Sequence, residues 1–237
     1  MRIPSRRTPY AALGLATLIA TALLPTASAG AATSTCFGKP ATHVMQPGEG
    51  TYVLHAGQVE VVVGSSGDDS IVNGDAGSTD VGDYLCGGPG NDYIAGGAGP
   101  DHINGGDGDD QVKGWRGADV VQGNAGNDIV GDGSQADQDA AADILRGGIG
   151  DDTLVTGWGA DRAYGDEGAD TLYDTECDGP TLLSGGPGDD HLESYESSYY
   201  GGDCGTVADQ IAGDTGTDTA VVDGPDTVTG VEALTRR

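Results

Sequence analysis

The chain returns fifteen times to one nine-residue theme, a Gly-x-x-Gly-x-Asp turn with an apolar residue two places after the Asp. The cleanest run is GGPGNDYIA from Gly87, GGAGPDHIN from Gly96, GGDGDDQVK from Gly105, GWRGADVVQ from Gly114 and GNAGNDIVG from Gly123. A fixed short period constrains the fold more than composition does, because stacked repeats bury a continuous core that no single repeat can bury alone. Numbering each repeat from its first Gly puts the Asp at position 6. Position 8 then reads Ile71, Leu85, Ile94, Ile103, Val112, Val121, Val130, Leu145, Leu154, Ala163, Leu172, Leu183, Leu192, Ile211 and Ala220. Every one is apolar, and positions 7 and 9 beside them are mixed. Period-two alternation marks a short strand with one buried face. The glycines before it supply a tight-turning backbone. Each repeat is expected to be a six-residue turn followed by a three-residue strand, with no helix after the N-terminal leader.

Composition alone points elsewhere. The formal net charge is −28, with 44 Gly and a single Phe. An acidic, Gly-rich chain of this kind ordinarily reads as disordered. A disordered acidic tail, however, has no reason to place Asp at every ninth residue. The charge excludes electrostatically driven nucleic-acid binding, which needs a basic surface.

Residues 1–29 read as a secretory signal peptide. Arg2, Arg6 and Arg7 precede an apolar run from Ala11 to Leu24, and Ala27-Ser28-Ala29 offers a small-residue cleavage site. The run is too short to span a bilayer, so no transmembrane segment is expected in the mature chain. A secreted or extracellular location follows, with cell-wall association as a variant. Four Cys in an exported chain suggest two disulfides.

These repeats resemble the hemolysin-type, or RTX, calcium-binding nonapeptide repeat, a consensus already recorded among known repeat types. The resemblance covers Gly64 to Val221. It implies an all-β fold, a right-handed parallel β-roll with two nonapeptide repeats per coil and short capping strands at both ends. The implied domains are an N-terminal cap over 30–63, the calcium-binding roll over 64–221 and a C-terminal cap over 222–237. Thr51 to Leu54 and Val59 to Val63 read as cap strands, with Val62 in the position-8 register and Glu60 where Asp would be. Thr219 to Val222 and Thr227 to Leu234 read as closing strands.

The resemblance also implies the metal. Multiple Ca²⁺ ions would lie between neighbouring turns on one edge, held by position-6 carboxylates and turn carbonyls. Oxygen ligands in flexible geometry suit Ca²⁺, whereas transition metals would want His or Cys. Alternate repeats turn at opposite edges of such a roll. The odd repeats all keep the motif, with Asp69, Asp92, Asp110, Asp128, Asp152, Asp170, Asp190 and Asp218 at position 6. The even repeats carry Asp83, Asp101, Asp119, Asp143, Asp161, Thr181 and Asp209, and they collect every insertion. A continuous calcium ladder is expected on the odd edge and a broken one on the even edge. The carbonyl ligands would come from turn glycines such as Gly87, Gly90, Gly96, Gly99, Gly105, Gly108, Gly123, Gly126, Gly147 and Gly150.

Coil counting on that roll bears on the cysteines. Cys86 and Cys177 lie about five coils apart, on the order of 24 Å at the inter-strand spacing and beyond disulfide reach. Cys177 and Cys204 fall in neighbouring even-edge insertions. The expected pairs are Cys177–Cys204 and Cys36–Cys86, free thiols being the alternative. Trp115 and Trp158 also lie in even turns, and Tyr195, Tyr199 and Tyr200 in the largest insertion. They either cover loop backbone or form a contact surface for a cell-envelope, glycan or protein partner.

The chain reads as a secreted calcium-binding protein that folds on its cation, and not as an enzyme. His43, His55, His102 and His191 form no HExxH pair, and Ser65-Ser66 sit in a repeat turn, outside any GxSxG elbow. The alternative reading is an envelope-associated adhesin or matrix protein using Trp115 and Trp158.

Overall fold

The computed structural model describes residues 34–73, 81–133, 140–174, 179–194, 207–222 and 225–236, all within one compact unit, Thr33–Arg237. Among the described residues there is no helix, so none is long and apolar enough to cross a membrane. Two ten-stranded parallel sheets make up the unit, with a small antiparallel pair, Thr35–Cys36 and Lys39–Pro40, at its N-terminal end.

Successive strands alternate between the two sheets. The first sheet runs from His43–Val44 to Thr227–Thr229 and the second from Thr51–Leu54 to Ala233–Arg236. Val120 pairs with His102 and Gln111 with Tyr93, so each strand lies on its neighbour one coil away, two nonapeptides along the chain. This is a parallel β-roll.

The core is a single file of side chains between the sheets. All fifteen position-8 residues are buried to 1% exposure or less. Met45, Leu54 and Val62 extend the file at one end and Val222 at the other. Parallel pairing in strict register forces this stacking, since a one-residue slip would turn every apolar side chain outward.

The strands are longer than the three residues expected. Tyr93–Ala98, His102–Asp107 and Ile144–Ile149 are six-residue strands that run on through positions 1 to 3 of the following repeat. Gly88 faces Gly106 and Pro89 faces Asp107 across this extension. The absence of a Cβ lets the backbones close up there: a Cβ on Gly106, at φ +129°, would lie 1.8 Å from the Gly88 carbonyl oxygen. The turn proper shrinks to positions 4 to 6.

The terminal strands join the same stack. Thr51–Leu54 pairs with Ser70–Asn73, and Val61–Val63 pairs with Tyr84–Pro89, with Val62 opposite Leu85. The strand begins at Val61, two residues later than expected; Val59 is exposed. At the other end Thr227–Thr229 and Ala233–Arg236 each add to one sheet. Cys36 and Cys86 are joined by a disulfide that ties the N-terminal antiparallel pair to the roll. Lys39 lies 3.9 Å over the Tyr84 ring, which stacks on His102. The signal-peptide segment, Cys177, Cys204, Tyr195, Tyr199 and Tyr200 lie outside the described residues.

Candidate metal centre

Turns that lead from the first sheet to the second are the odd repeats, and turns leading back are the even ones. The parity read from the sequence therefore separates two physical edges. The stretches 74–80, 134–139, 175–178 and 195–206, which hold most of the inserted sequence, each come in the chain after a strand of the second sheet and before one of the first. We call the first edge clean and the second decorated.

All fourteen Asp residues singled out at position 6 are buried, none more than 6% exposed. On the clean edge the carboxylate of Asp69 accepts from Ser65 of its own turn, and each one from Asp92 onward does the same thing. Asp92 Oδ1 accepts the backbone N–H of Asp69 at 2.8 Å, Asp110 that of Asp92 at 2.8 Å, and Asp128 that of Asp110 at 2.8 Å. Asp152, Asp170, Asp190 and Asp218 continue the chain at 2.7–2.9 Å. Glu232 ends it by accepting from Asp218.

The second oxygen is left over. Oδ2 of Asp92, Asp110, Asp128, Asp152, Asp170, Asp190 and Asp218 is buried and has no hydrogen-bond partner in the structure. A buried carboxylate oxygen without a donor is costly, and here the cost recurs at one point of seven coils. The position-1 glycine shows what each oxygen faces. A Cβ on Gly87 would lie 2.1 Å from Asp92 Oδ2 and 2.5 Å from the Gly105 carbonyl oxygen one coil on. On Gly147 it would meet Asp152 Oδ2 at 2.2 Å and the Gly165 carbonyl at 2.7 Å. Carboxylate and carbonyl oxygens thus converge on a space that only Gly leaves open. An all-oxygen set of this kind fits Ca²⁺ and offers nothing to a metal that prefers nitrogen or sulfur.

Electrostatics agree. Burial pushes Asp110 and Asp152 up to about 7 and Asp92, Asp128, Asp170 and Asp190 up to about 6, backbone hydrogen bonds only partly offsetting it. Asp218 is raised for the same first reason. Neighbouring carboxylates add repulsion, as expected for like charges brought together in a poorly solvated site. The column holds its charge at neutral pH more easily with a cation beside it.

The decorated edge carries a similar ladder. Its Oδ1 bonds run Glu60 to Asp83, Asp83 to Asp101, Asp101 to Asp119, Asp119 to Asp143 and Asp143 to Asp161, each N–H donating at 2.6–2.8 Å. The column is thus more continuous than the insertions suggested. Its one missing carboxylate is at Thr181, whose N–H donates to Asp209 at 2.8 Å, and Asp226 follows.

Sequence reasoning missed two features. Asp132, at position 1 of its repeat, brings a carboxylate oxygen within 4.8 Å of those of Asp119 and Asp143. Burial, then Asp143, Asp161 and Asp119, hold its carboxyl well above the usual range. The signal was an Asp standing where the clean edge always has Gly. The second feature is an outer ladder at position 5 of the clean edge. Asp68, Asn91, Asp109, Asn127 and Asp151 each accept the position-5 N–H of the next coil at 2.9–3.1 Å. The Asn-Asp and Asp-Asp pairs at 91–92, 109–110, 127–128 and 151–152 were its visible trace.

The family model described as RTX calcium-binding nonapeptide repeat (4 copies) matches residues 87–121, 116–138 and 137–172. Residues 87–172 are RTX repeats. These RTX repeats coincide with the part of the roll where both edges keep their carboxylates, and they imply Ca²⁺ binding. No curated protein and no solved structure matches the chain significantly.

Proposed function

We propose that this is a secreted, non-catalytic calcium-binding protein whose roll folds on its cations, held between successive turns of the clean edge. The supporting observation is the row of buried Oδ2 atoms on Asp92, Asp110, Asp128, Asp152, Asp170, Asp190 and Asp218, each without a hydrogen-bond partner; beside those of Asp92, Asp110, Asp152, Asp170 and Asp218 the position-1 glycine also faces a carbonyl of the next coil. Such a row is strongly self-repelling without counter-charge, and the core behind it is one side chain deep. Metal binding then supplies folding free energy. Export suits the mechanism, because the leader-like segment 1–29 would deliver the chain to calcium-rich surroundings.

The histidines do not converge on a catalytic arrangement. His43 hydrogen-bonds Glu49, His55 hydrogen-bonds Glu60, His102 stacks on Tyr84 and His191 meets Thr219. The test is circular dichroism of the mature chain in chelator and in millimolar Ca²⁺, with bound calcium measured by equilibrium dialysis. At neutral pH we expect coil-like spectra without calcium and a β-rich spectrum with it; identical spectra and no bound calcium would refute the proposal.

A second reading, an envelope-associated adhesin, draws on Trp115. This residue sits at φ +75° and lines a hollow of about 180 Å³ with Val72, Tyr93, Ala95 and Ala98 on the outer face of the second sheet. Trp158, in the next but one turn of that edge, buries an indole N–H with no acceptor among the described residues. Unchanged envelope binding after replacement of both Trp would remove this reading.

A further inference from the structure

The two edges differ at position 1. Every clean-edge turn has Gly there: Gly64, Gly87, Gly105, Gly123, Gly147, Gly165, Gly185 and Gly213. On the decorated edge the same column begins at Leu54 and Asn73, passes Gly96 and Gly114, and continues as Asp132, Thr156, Asp174, Ser194 and Val222. Leu54 stands opposite Asn73, Thr156 opposite Asp174, Asp174 opposite Ser194, and Ser194 opposite Val222.

Position 1 is the point from which a Cβ meets Oδ2 of the turn's own Asp. The distance would be 2.2 Å at Gly96 and 2.3 Å at Gly114. A side chain placed there grows into the space in front of that oxygen. Ser194 does so. It is fully buried, and its Oγ donates to Asp209 Oδ2 at 2.7 Å. Oδ1 of Asp209 accepts from the Thr181 N–H at 2.8 Å. Both oxygens of Asp209 are therefore satisfied by the protein. Asp190, in the turn before it, also has Oδ1 bonded, to the Asp170 N–H at 2.9 Å, but its Oδ2 has no partner. The two residues share a repeat position and differ in what position 1 puts in front of them.

We propose that Ser194 seals the Asp209 carboxylate, so that this turn of the decorated edge takes no calcium ion. Where the side chain at position 1 reaches the turn's own Asp, as Ser194 does, that carboxylate is withheld from a cation. The inference rests on the calcium reading above. A hydroxyl suits the role: its one proton satisfies the carboxylate oxygen without adding charge or bulk beyond one heavy atom. Thr156, a hydroxyl in the same column, has a different partner: it donates to Asp174 Oδ1, at position 1 of the next coil, at 3.2 Å. A seal makes this end of the roll less dependent on calcium than the clean edge beside it.

The experiment counts calcium bound per full-length mature chain, by equilibrium dialysis and elemental analysis, in wild type, D209N, D190N and S194G. Asn at 209 can keep the Thr181 bond through its carbonyl oxygen and donate its amide to Ser194 Oγ. We expect D209N to bind as many ions as wild type, D190N about one fewer, and S194G about one more. Loss of an ion in D209N, or an unchanged count in a folded S194G, overturns the seal while leaving the calcium reading standing. Should S194G fail to fold, the D209N and D190N pair decides alone. A wild-type chain that takes up no calcium overturns both.

Discussion

A single oxygen atom carries most of the chemistry of this roll. From Asp92 to Asp218 each clean-edge Asp uses Oδ1 to hold the backbone of the coil before it and leaves Oδ2 buried without a donor. The space in front of that oxygen exists because position 1 has no side chain. Gly147→Ala would place a methyl 2.2 Å from Asp152 Oδ2 and 2.7 Å from the Gly165 carbonyl. We expect it to weaken calcium binding and to cost about 1–3 kcal/mol, read by calcium titration and chemical denaturation. The raised carboxyls set a pH dependence with a definite sign. Their folded values, about 6 to 7, exceed the ordinary value of 3.8, so ionisation is disfavoured in the fold. In chelator the roll is most stable below about pH 4 and loses stability as pH rises to about 7. Thermal melts in chelator should show Tm falling across that window. In calcium the trend reverses, because protons and cations compete for the same oxygens.

Strands and turns divide the work between core and surface. Position 8 fills the file between the sheets, and its identity was plain in the sequence because the apolar residue never misses its place. Leu145→Ala should cost about 2–5 kcal/mol in the calcium-loaded protein, measured by denaturant titration, because the neighbouring coils are held in register and cannot collapse into the gap. Strand length was less legible. Gly-Gly-x looks like turn sequence, and its extended pairing depends on a second coil that is absent from any local reading. Side chains at position 2 were equally hidden. Asp166 has φ +71°, and Arg146 from the preceding coil donates to both its carboxylate oxygens at 2.9 and 3.0 Å. Asn124 reaches Asn104 and Asp214 reaches Ser184 in the same way. Each such pair links positions 2 and 9 of adjacent coils on the outer face of the first sheet, and so exists only once the coils are stacked.

At the scale of the whole roll, the two edges have different tolerances. The clean edge repeats without insertion from Gly64 to Asp218, whereas the decorated edge absorbs every inserted segment. A short Gly/Ser insertion between Gly150 and Asp151 would interrupt both Asx ladders of the clean edge. The same insertion within 134–139 would lengthen a connection that already departs from the repeat. We expect the first to abolish calcium-induced β structure and the second to leave it nearly intact, as followed by circular dichroism. Sequence alone determined the period, the apolar column at position 8 and the recurrence of the carboxylates, because each follows from residues recurring at a fixed interval along one chain; the alternation of turns between two edges came from the resemblance to RTX repeats. Tertiary structure decided which carboxylate oxygens are left without a donor. It showed Asp132 drawn against Asp119 and Asp143, and Ser194 closing over Asp209. Those outcomes depend on what one coil places in front of the next, and insertions of unequal length hide that juxtaposition until the strands are in register.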